Sequence, residues 1–382
     1  MAQKLKTDWI LFGTVLAMIC FGVLMIYSAS SIMAKLDARY GSSWYFVLRQ
    51  MEFAVPAVVL MMALKRMHYK NLQNPAVAFG AIGIAILLLV AVYFLDPAHH
   101  RWLRIPPAGL QPSEIAKPAL MIFLAFFVTL RARAINNPRH TLIPAAMAVG
   151  LLIFVVVVPD LGTAVVLGVS AMIVLFVAGL QWRYCFIVAG IAFLGLVISI
   201  WAEPYRLIRV IKWIDPNYRL ISVVDPHGRL KARAEQTLRA RDTNYQLEQS
   251  KIAVGAGGAA GVGLMNGRQK LLYLPEAHTD FIYAVVGEET GLIGSVGLLL
   301  AFVVIFWRGL RATIRMHDEF GRHLALGLTV VVVVQGFINM SVVLGMMPTK
   351  GIPLPLISYG GSSLVSSLAM LGILMNVSEH AG

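Results

Sequence analysis

The feature that most limits the fold of this chain is a series of long apolar runs separated by short polar segments. A helix needs about 20 apolar residues to cross the hydrocarbon core of a bilayer. Ten runs approach that length, and several contain Gly or Pro, which membrane helices tolerate when neighbouring helices satisfy the freed backbone groups. The runs cover residues 9–28, 44–64, 76–95, 113–130, 142–158, 163–180, 185–201, 280–306, 323–345 and 358–376. The pattern predicts an all-α polytopic integral membrane protein with about ten transmembrane helices.

The composition excludes a soluble protein. Hydrophobic residues make up 58% of the chain and charged residues only 13%, whereas a soluble domain carries about 25% charged residues. A net charge of +13 would point to nucleic acid in a soluble protein, but in a membrane protein it indicates basic cytoplasmic loops, so no nucleic-acid partner is predicted. Cys20 and Cys185 lie in apolar runs and indicate neither a disulfide nor a thiolate metal site.

The distribution of basic residues predicts the orientation. With the N-terminus inside, thirteen basic residues fall in cytoplasmic segments and five in short outer loops, and such a bias places both termini in the cytoplasm. The cytoplasmic set is Lys4, Lys6, Lys65, Arg66, Lys70, Arg131, Arg133, Arg139, Arg183, Arg308, Arg311, Arg315 and Arg322, and the outer set is Lys35, Arg39, Arg101, Arg104 and Lys350. The first run lacks a small-residue cleavage site after it and is therefore expected to be retained as a helix.

A large extracytoplasmic loop is predicted over residues 202–279, between the seventh and eighth helices of a single membrane domain spanning 1–382. Its charged stretch, 229–242, is typical of a solvated helix, with a surface-lying helix as the alternative. The glycine run at 255–263 nominally matches a dinucleotide fingerprint, but no βαβ unit surrounds it, so no nucleotide cofactor is predicted. Close helix packing, or backbone approach to a bound lipid, is the better explanation.

Two ionisable residues at the start of the fourth helix are candidates for function, because charges at membrane depth are costly. Glu114 and Lys117 are three residues apart and share a helix face. They form either an internal ion pair that fixes packing or a charged patch in which Lys117 faces an anionic substrate group. Arg101, in the preceding outer loop, can join that patch.

A second candidate site lies where the long loop re-enters the membrane, at 274–281. A partly desolvated carboxylate there can have its pKa raised toward that of a general base. Asp280 is the candidate, and a helix N-cap is the alternative with even weight. His278 is a second candidate, although a lone loop histidine is more often solvated.

Deeper in the same helix, Glu288 and Glu289 are expected to include one side chain that faces the bundle interior, where packing and catalysis are equally consistent with the sequence. Farther along, the Pro- and Gly-rich segment 345–363 predicts a rigid re-entrant loop. Ser358, Tyr359, Ser362 and Ser363 supply hydrogen-bonding groups there and Lys350 supplies a cation, which suits a lipid-linked polar substrate. No His-x-x-x-His or Cys-x-x-Cys metal pattern occurs in the sequence.

These segments together resemble the SEDS family of bacterial shape, elongation, division and sporulation proteins over nearly the whole chain. The resemblance rests on several ordered motifs. They are 111–117 (Gln-Pro-Ser-Glu-x-x-Lys), 159–163 (Pro-Asp-Leu-Gly-Thr), 202–206 (Ala-Glu-Pro-Tyr-Arg), Tyr245-Gln246, 274–281, 287–289 and 348–363. The Pro-Thr-Lys-Gly form at 348–351 is closer to the FtsW-like division branch than to the RodA-like elongation branch. The stretch between 216 and 245 is longer than the family pattern, by an insertion around 219–243.

The resemblance implies a peptidoglycan glycosyltransferase of septal cell-wall synthesis, which polymerises lipid II into β-1,4 glycan strands with release of undecaprenyl pyrophosphate. A single inverting displacement needs one base and stabilisation of the leaving diphosphate. Asp280 matches the essential aspartate of the family and is implied as the base. Arg101, Lys117 and Lys350 are implied to stabilise the diphosphate, with Glu114 orienting Lys117.

The resemblance further implies a divalent cation, Mg²⁺ or Mn²⁺, although no ligand set is evident in the sequence. The implied partners are lipid II and undecaprenyl-linked glycan, a class B penicillin-binding protein transpeptidase, other division proteins and membrane lipid. A lipid II flippase, an elongation-type polymerase and a scaffold are the alternatives. The intramembrane charges cluster toward the outer half of the predicted bilayer, which favours an enzyme over a path across the whole membrane.

Overall fold

A computed structural model describes residues 7–96, 100–105, 108–202, 204–215, 243–271 and 273–381. Within these ranges the chain forms twelve α-helices and one two-stranded antiparallel hairpin. The elements are α1 Trp9–Leu36, α2 Tyr45–Arg66, α3 Pro75–Leu95, β1 Leu103–Ile105, β2 Ala108–Leu110, α4 Pro112–Leu130, α5 Ile143–Val157, α6 Leu161–Val177, α7 Trp182–Ala202, α8 Pro204–Ile214, α9 Thr243–Gly257, α10 Ile282–Arg315, α11 Glu319–Val343 and α12 Gly361–His380.

Ten of the described helices are apolar candidates for crossing a membrane. Nine are long and apolar enough by length and composition, where the π-helical turn Pro138–Leu142 and α5 count together as the 20-residue segment Pro138–Val157. Helix α6, with 17 residues, is a shorter apolar helix. The predicted polytopic helical fold is thereby confirmed, and the chain is a multi-pass membrane protein. The β1–β2 hairpin, in which Leu103 pairs with Leu110, is a small departure from the all-α prediction.

Several helix ends follow from local chemistry. The side chains of Asp8, Asn74, Asp160 and Asp318 accept hydrogen bonds from backbone N–H groups in the first turns of α1, α3, α6 and α11, which satisfies donors that a helix start leaves unpaired. The helix α1 runs eight residues beyond its predicted end at 28, because serines there do not stop it. Ser30 donates instead to the carbonyl oxygen of Ile26 at 2.7 Å.

The helices differ greatly in burial. Most residues of α4, α11 and α12 are buried inside the bundle, whereas Cys185 is the one buried residue among those described in α7. Helix α12 packs closely on α2, since a methyl group at Gly372 would lie 2.5 Å from the carbonyl oxygen of Met61. The central helices therefore form the scaffold on which the polar loops are fixed.

The predicted large loop contains two helices in its described part. Helix α8 is strongly amphipathic, and α9 leads into the glycine run. Gly257 and Gly261 lie against the backbone of Gly287 and Glu289, where a Cβ atom would clash. Close helix packing of the glycine run is thus what the structure shows. The charged stretch 229–242 and the insertion around 219–243 lie outside the described residues, apart from position 243 at the start of α9.

Two ion pairs join the ends of the described chain to the bundle. Arg308 Nη2, near the end of α10, lies 2.8 Å from Asp8 Oδ2, just before α1. Lys65 Nζ, near the end of α2, lies 3.0 Å from Glu379 Oε1 in the last turn of α12. Ser378 Oγ, also in the last turn of α12, donates to Asp8 Oδ2 at 3.1 Å, so both ends of the described chain lie at the same end of the bundle.

Replacing Gly372 with Ala is expected to lower the melting temperature of the detergent-solubilised protein, because its Cβ would press on the α2 backbone and overpack the interface by about 1–3 kcal/mol. The matched control is Gly150→Ala in α5, where a Cβ atom meets nothing within 4 Å. Tryptophan-fluorescence melting measures both variants. Equal melting temperatures for Gly372→Ala and wild type would show that α2 and α12 are not closely packed there.

Candidate active site

A cavity of about 470 Å³, here called the Asp280 cavity, lies where the start of α10 meets the start of α4, the α5–α6 turn and the loop before α12. Its charged lining residues are Arg101, Arg209, Glu276, Asp280 and Lys350. Its other lining residues are Trp102, Gln111, Pro159, Gln246, Thr279, Phe281, Thr349, Gly351, Pro353, Tyr359, Gly360 and Ser363. The cavity thus combines cations and carboxylates contributed by distant parts of the chain.

Asp280 lies two residues before α10, outside the membrane-spanning helix. The N-cap of α10 is Phe281, and no side chain makes a capping hydrogen bond there, so the N-cap alternative for Asp280 is not what the structure shows. Its backbone carbonyl accepts a hydrogen bond of 2.8 Å from Asn339 Nδ2. Its carboxylate lies against Gly351, where a Cβ atom would collide with Oδ2. Both contacts fix the carboxylate at the cavity wall.

The electrostatic environment of Asp280 favours its neutral form. Burial raises the pKa of Asp280 to about 6, Arg101 opposes the rise, and the nearby carboxylates of Glu276 and Asp160 add to it, while Lys350 opposes it. A carboxyl group with this pKa exchanges a proton near neutral pH.

A second carboxylate, Asp160, was not singled out by sequence reasoning, although it lies in a quoted motif. Its Oδ2 is 3.5 Å from Arg101 Nη2 and its Oδ1 is 3.9 Å from Lys350 Nζ. Burial acts to raise the pKa of Asp160, but these two cations and hydrogen bonds from Thr163 outweigh it and hold the pKa below its ordinary value. A signal was present in the sequence, since an Asp-x-x-Thr cap between two apolar runs places a carboxylate at a membrane boundary.

Lys350 is the cation on the loop side of the Asp280 cavity. Burial lowers the pKa of Lys350 to about 8; Asp160 opposes this shift, whereas Arg206, Arg101 and Arg209 contribute to it. The group is therefore cationic at neutral pH and becomes neutral in mildly alkaline solution. It can bind an anion as a cation only below that range.

Glu114 and Lys117 form the internal ion pair rather than a patch on the cavity. Lys117 Nζ lies 2.6 Å from Glu114 Oε2, both side chains are 1% exposed, and neither residue lines the cavity. Lys117 Nζ also donates to Gln335 Oε1 at 2.6 Å. The structure thus places the pair behind the cavity wall, between α4 and α11.

Ser358 and Ser362 use their hydroxyl groups in hydrogen bonds to the backbone of other segments. Ser358 Oγ donates to the Thr279 carbonyl at 2.6 Å, which joins the loop before α12 to the segment before α10. Ser362 Oγ donates to the Gly109 carbonyl at 3.0 Å and accepts from the Gln111 backbone N–H at 3.2 Å. Of the four hydroxyl residues predicted in this segment, Tyr359 and Ser363 line the cavity, and Ser358 and Ser362 do not.

His278 belongs to an aromatic cluster beside the cavity. Its ring centroid lies 4.5 Å from that of Phe46 and 5.6 Å from that of Tyr359. Burial lowers the pKa of His278, which favours a neutral, packed imidazole. Tyr359 lines the cavity and His278 does not.

Glu288 and Glu289 hold the segment that precedes the site. Glu289 Oε1 lies 2.5 Å from Lys270 Nζ, and Ser28 Oγ donates to both Glu289 oxygens at 2.7 Å. Glu288 Oε1 accepts from the Arg268 backbone N–H at 2.7 Å. Of the two roles that the sequence left open, the structure shows packing for both residues.

Arg209 is a cavity residue that sequence reasoning did not identify. It lies on α8 and donates from Nη1 to the Thr349 carbonyl at 3.0 Å. Nearby, Trp213 Nε1 donates to the Gly345 carbonyl at 3.1 Å, so α8 is attached to the loop that carries Lys350. The amphipathic pattern after Pro204 was a usable signal for a helix at the membrane interface.

The described residues do not fit a metal site. Among them no three His, Cys, Asp or Glu side chains come together as metal ligands, and the cavity carboxylate Asp160 already has Arg101 and Lys350 as charge partners. These two cations already compensate the charge of the Asp160 carboxylate. The divalent cation stays a prediction from the resemblance, and no step is assigned to it here.

Comparison with known proteins identifies the family of this chain. The family model described as "Cell cycle protein", which covers FtsW, RodA and SpoVE, matches residues 8–382. The chain belongs to this family.

Relatives and solved structures agree over the full length. A probable peptidoglycan glycosyltransferase FtsW from Geobacter metallireducens is 36% identical, with 98% of this chain and 95% of the relative covered. Stage V sporulation protein E from Bacillus subtilis is 34% identical, with 99% of each chain covered. A chain of a peptidoglycan synthase complex that coordinates polymerization and crosslinking superposes with a TM-score of 0.74 at 27% identity, covering 99% of both chains. Thermus thermophilus RodA, at 24% identity and a TM-score of 0.65, shares the fold over 98% of this chain and 97% of its own.

Proposed function

We propose that this protein is a peptidoglycan glycosyltransferase that polymerises lipid II into β-1,4 glycan strands for septal wall synthesis. The observation that carries the proposal is Asp280, a half-buried carboxylate with a pKa raised to about 6, in one cavity with Arg101 and Lys350. Such a cavity offers a base beside anion-binding groups, which an inverting transfer from a lipid diphosphate requires. The names of the full-length relatives support the same activity.

In the proposed reaction, the carboxylate of Asp280 takes the proton of the acceptor 4-hydroxyl as that oxygen attacks the anomeric carbon of the donor. The bond between the anomeric carbon and the pyrophosphate oxygen breaks, and undecaprenyl pyrophosphate leaves with the electron pair. One displacement converts the α-linked donor into a β-1,4 bond, so no covalent enzyme intermediate is needed.

The leaving diphosphate gains charge as the bond breaks, and cations placed at that point stabilise the transition state. Arg101 and Lys350 both line the cavity and share Asp160 as a counter-ion. We assign the diphosphate to these two side chains, with Arg209 as a third cation on the cavity wall. Asp160 holds the first two cations in place before the substrate arrives.

The proposal includes location and partners. Both termini are assigned to the cytoplasm and the Asp280 cavity to the outer side of the plasma membrane, on the basis of the loop charges. A class B penicillin-binding protein is the proposed partner, together with other division proteins, because a similar chain belongs to a synthase complex that couples polymerization to crosslinking. The FtsW names of several relatives support septal rather than elongation-type synthesis.

The test uses the purified full-length protein in lipid nanodiscs, alone and with its class B penicillin-binding protein, incubated with fluorescent lipid II. Wild type is expected to produce a ladder of glycan strands. Asp280→Asn is expected to lower the polymerisation rate by about 10²–10⁴-fold, the usual contribution of a general base. Asp37→Asn, which neutralises a carboxylate paired with exposed Arg39, is the control and should match wild type.

Two results would contradict the proposal. If folded Asp280→Asn polymerised lipid II at the wild-type rate, Asp280 would not be the base. Movement of lipid II between leaflets by wild type, without polymerisation in any partner complex, would establish the flippase alternative.

The polymerisation rate is expected to depend on pH in a bell shape. Asp280 acts as a base only when deprotonated, so the rate falls as the pH drops below about 6, where its pKa lies. Lys350 binds diphosphate only when protonated, so the rate also falls as the pH rises above about 8. Initial rates measured from about pH 5 to about pH 9 cover both the acid limb and the alkaline limb of this pH–rate profile.

The control for the alkaline limb is Lys350→Arg, because a guanidinium stays charged throughout this range. The alkaline limb should disappear in this variant while the acid limb persists. A rate that is independent of pH below neutrality would be inconsistent with Asp280 as the base.

A further inference from the structure

Two carboxamides of α11 hold the loop that carries Lys350. Gln335 and Asn339 lie four residues apart, on one helix face, and both are almost fully buried. Asn339 Nδ2 donates to the carbonyls of Asp280 at 2.8 Å and Ile352 at 2.6 Å. Gln335 Nε2 donates to the Pro353 carbonyl at 2.9 Å. Asn339 therefore joins the assigned base directly to the loop that bears the assigned cation.

This loop depends on such donors from outside. It has prolines at 348, 353 and 355, and a proline has no backbone N–H group to donate in a hydrogen bond. Ile352 and Leu354, on either side of Pro353, are buried, and buried carbonyls need a hydrogen-bond partner. The two amides of α11 supply it.

Gln335 can donate to the Pro353 carbonyl in only one orientation of its side-chain amide. Its amide has an acceptor end and a donor end, and the donor end must face the Pro353 carbonyl. Lys117 determines that orientation, because an ammonium has donors and no acceptor and lies 2.6 Å from Gln335 Oε1. In the flipped amide, two donors would face each other at Lys117 and two acceptors at Pro353.

Glu114 completes the arrangement as the counter-ion of Lys117, at 2.6 Å. Both carboxylate oxygens of Glu114 lack a directed hydrogen bond to another described residue, so the contact is one of charge compensation. A buried ion pair of this kind can often be replaced by neutral groups without loss, provided that no partner is left unpaired.

We propose that the Glu114–Lys117 pair orients the Gln335 amide, and that Gln335 and Asn339 together fix the Lys350 loop against Asp280. Lys117 is then a positioning residue whose essential property is a hydrogen-bond donor at the Gln335 oxygen, and its charge serves only to match Glu114. The inference rests on the proposed function and replaces the implied contact between Lys117 and the diphosphate.

Two double variants distinguish the effect of the hydrogen-bond donor at position 117 from the effect of its charge. Glu114→Gln/Lys117→Gln removes both charges and keeps a donor at position 117, whereas Glu114→Gln/Lys117→Met removes charges and donor together. The first is expected to keep at least about a tenth of the wild-type kcat with an unchanged KM for lipid II. The second is expected to lose about a hundredfold in kcat, because small displacements of reacting groups cost that much. Equal losses in the two variants, or a loss confined to KM, would overturn the proposal.

A labelling experiment measures the loop without relying on activity. Thr349, buried at 9% exposure, is replaced by Cys in a background in which Cys20 and Cys185 are replaced by Ala, and a membrane-impermeant maleimide is added. Labelling should be slow with the wild-type pair and with Glu114→Gln/Lys117→Gln, and at least about tenfold faster with Glu114→Gln/Lys117→Met. Equal labelling rates would overturn the proposal even if wild type did not polymerise lipid II, so the two failures are distinguishable.

A single substitution covers the case in which a double variant does not fold. Gln335→Glu keeps an acceptor for Lys117 but loses the donor to Pro353. It is expected to behave like Glu114→Gln/Lys117→Met in both measurements. Wild-type kcat with slow labelling in Gln335→Glu would show that the loop does not need this amide.

Discussion

The candidate site depends on the pairing of Asp160 with two cations, Arg101 and Lys350. Asp160 is 2% exposed, and a buried carboxylate is tolerated when cations and hydrogen bonds compensate its charge. The two cations come from the loop after α3 and from the loop before α12, so one buried charge draws three distant segments together. Burial raises the pKa of Asp280, and the neighbouring Asp160 carboxylate adds to that rise. The two cations instead hold the pKa of Asp160 down, so the pKa values of the two carboxyl groups move in opposite directions. Separation of this kind gives neighbouring carboxyl groups different roles.

Two further ion pairs in the described part of the chain are buried outside the cavity lining. Glu114 with Lys117 and Glu289 with Lys270 are both ion pairs of almost fully buried side chains. Each connects a helix to a segment without regular structure: α4 to the Lys350 loop through Gln335, and α10 to the segment before Asp280. The intramembrane charges that the sequence makes conspicuous therefore support the site from outside it. The groups assigned to chemistry lie on loops and helix ends, where a polar substrate can reach them.

The helices were predictable because each follows from a local property, a run of apolar residues of spanning length. The irregular segment before α12 was predictable from its prolines and glycines, and the place of Asp280 just before a helix from the end of the long polar loop. The role of Asp280 as a base stays a prediction. Helix ends were less predictable, since α1 continues past Ser30, whose hydroxyl donates a hydrogen bond within the helix. Gln335 and Asn339 could not be identified, because an amide in an apolar helix has no local mark of its partner. For Arg209, the amphipathic pattern after Pro204 indicates a helix but not which of its residues contacts the loop before α12. Their importance comes from contacts with residues 352–353, 280 and 349, which only the folded chain shows. The same limit applies to Lys117, whose partner across the bundle is separated from it by 218 positions.

In the proposed reaction, Asp280 and the cations Arg101 and Lys350 act on one substrate within one cavity. The most direct test is a cryo-electron microscopy structure of the full-length protein bound to a non-reactive lipid II analogue and an acceptor glycan. The diphosphate is expected between Arg101 and Lys350, and the acceptor 4-hydroxyl within about 3.2 Å of the Asp280 carboxylate, the reach of a general base. A diphosphate bound away from both cations, or an acceptor hydroxyl beyond the reach of Asp280, would contradict the proposed reaction.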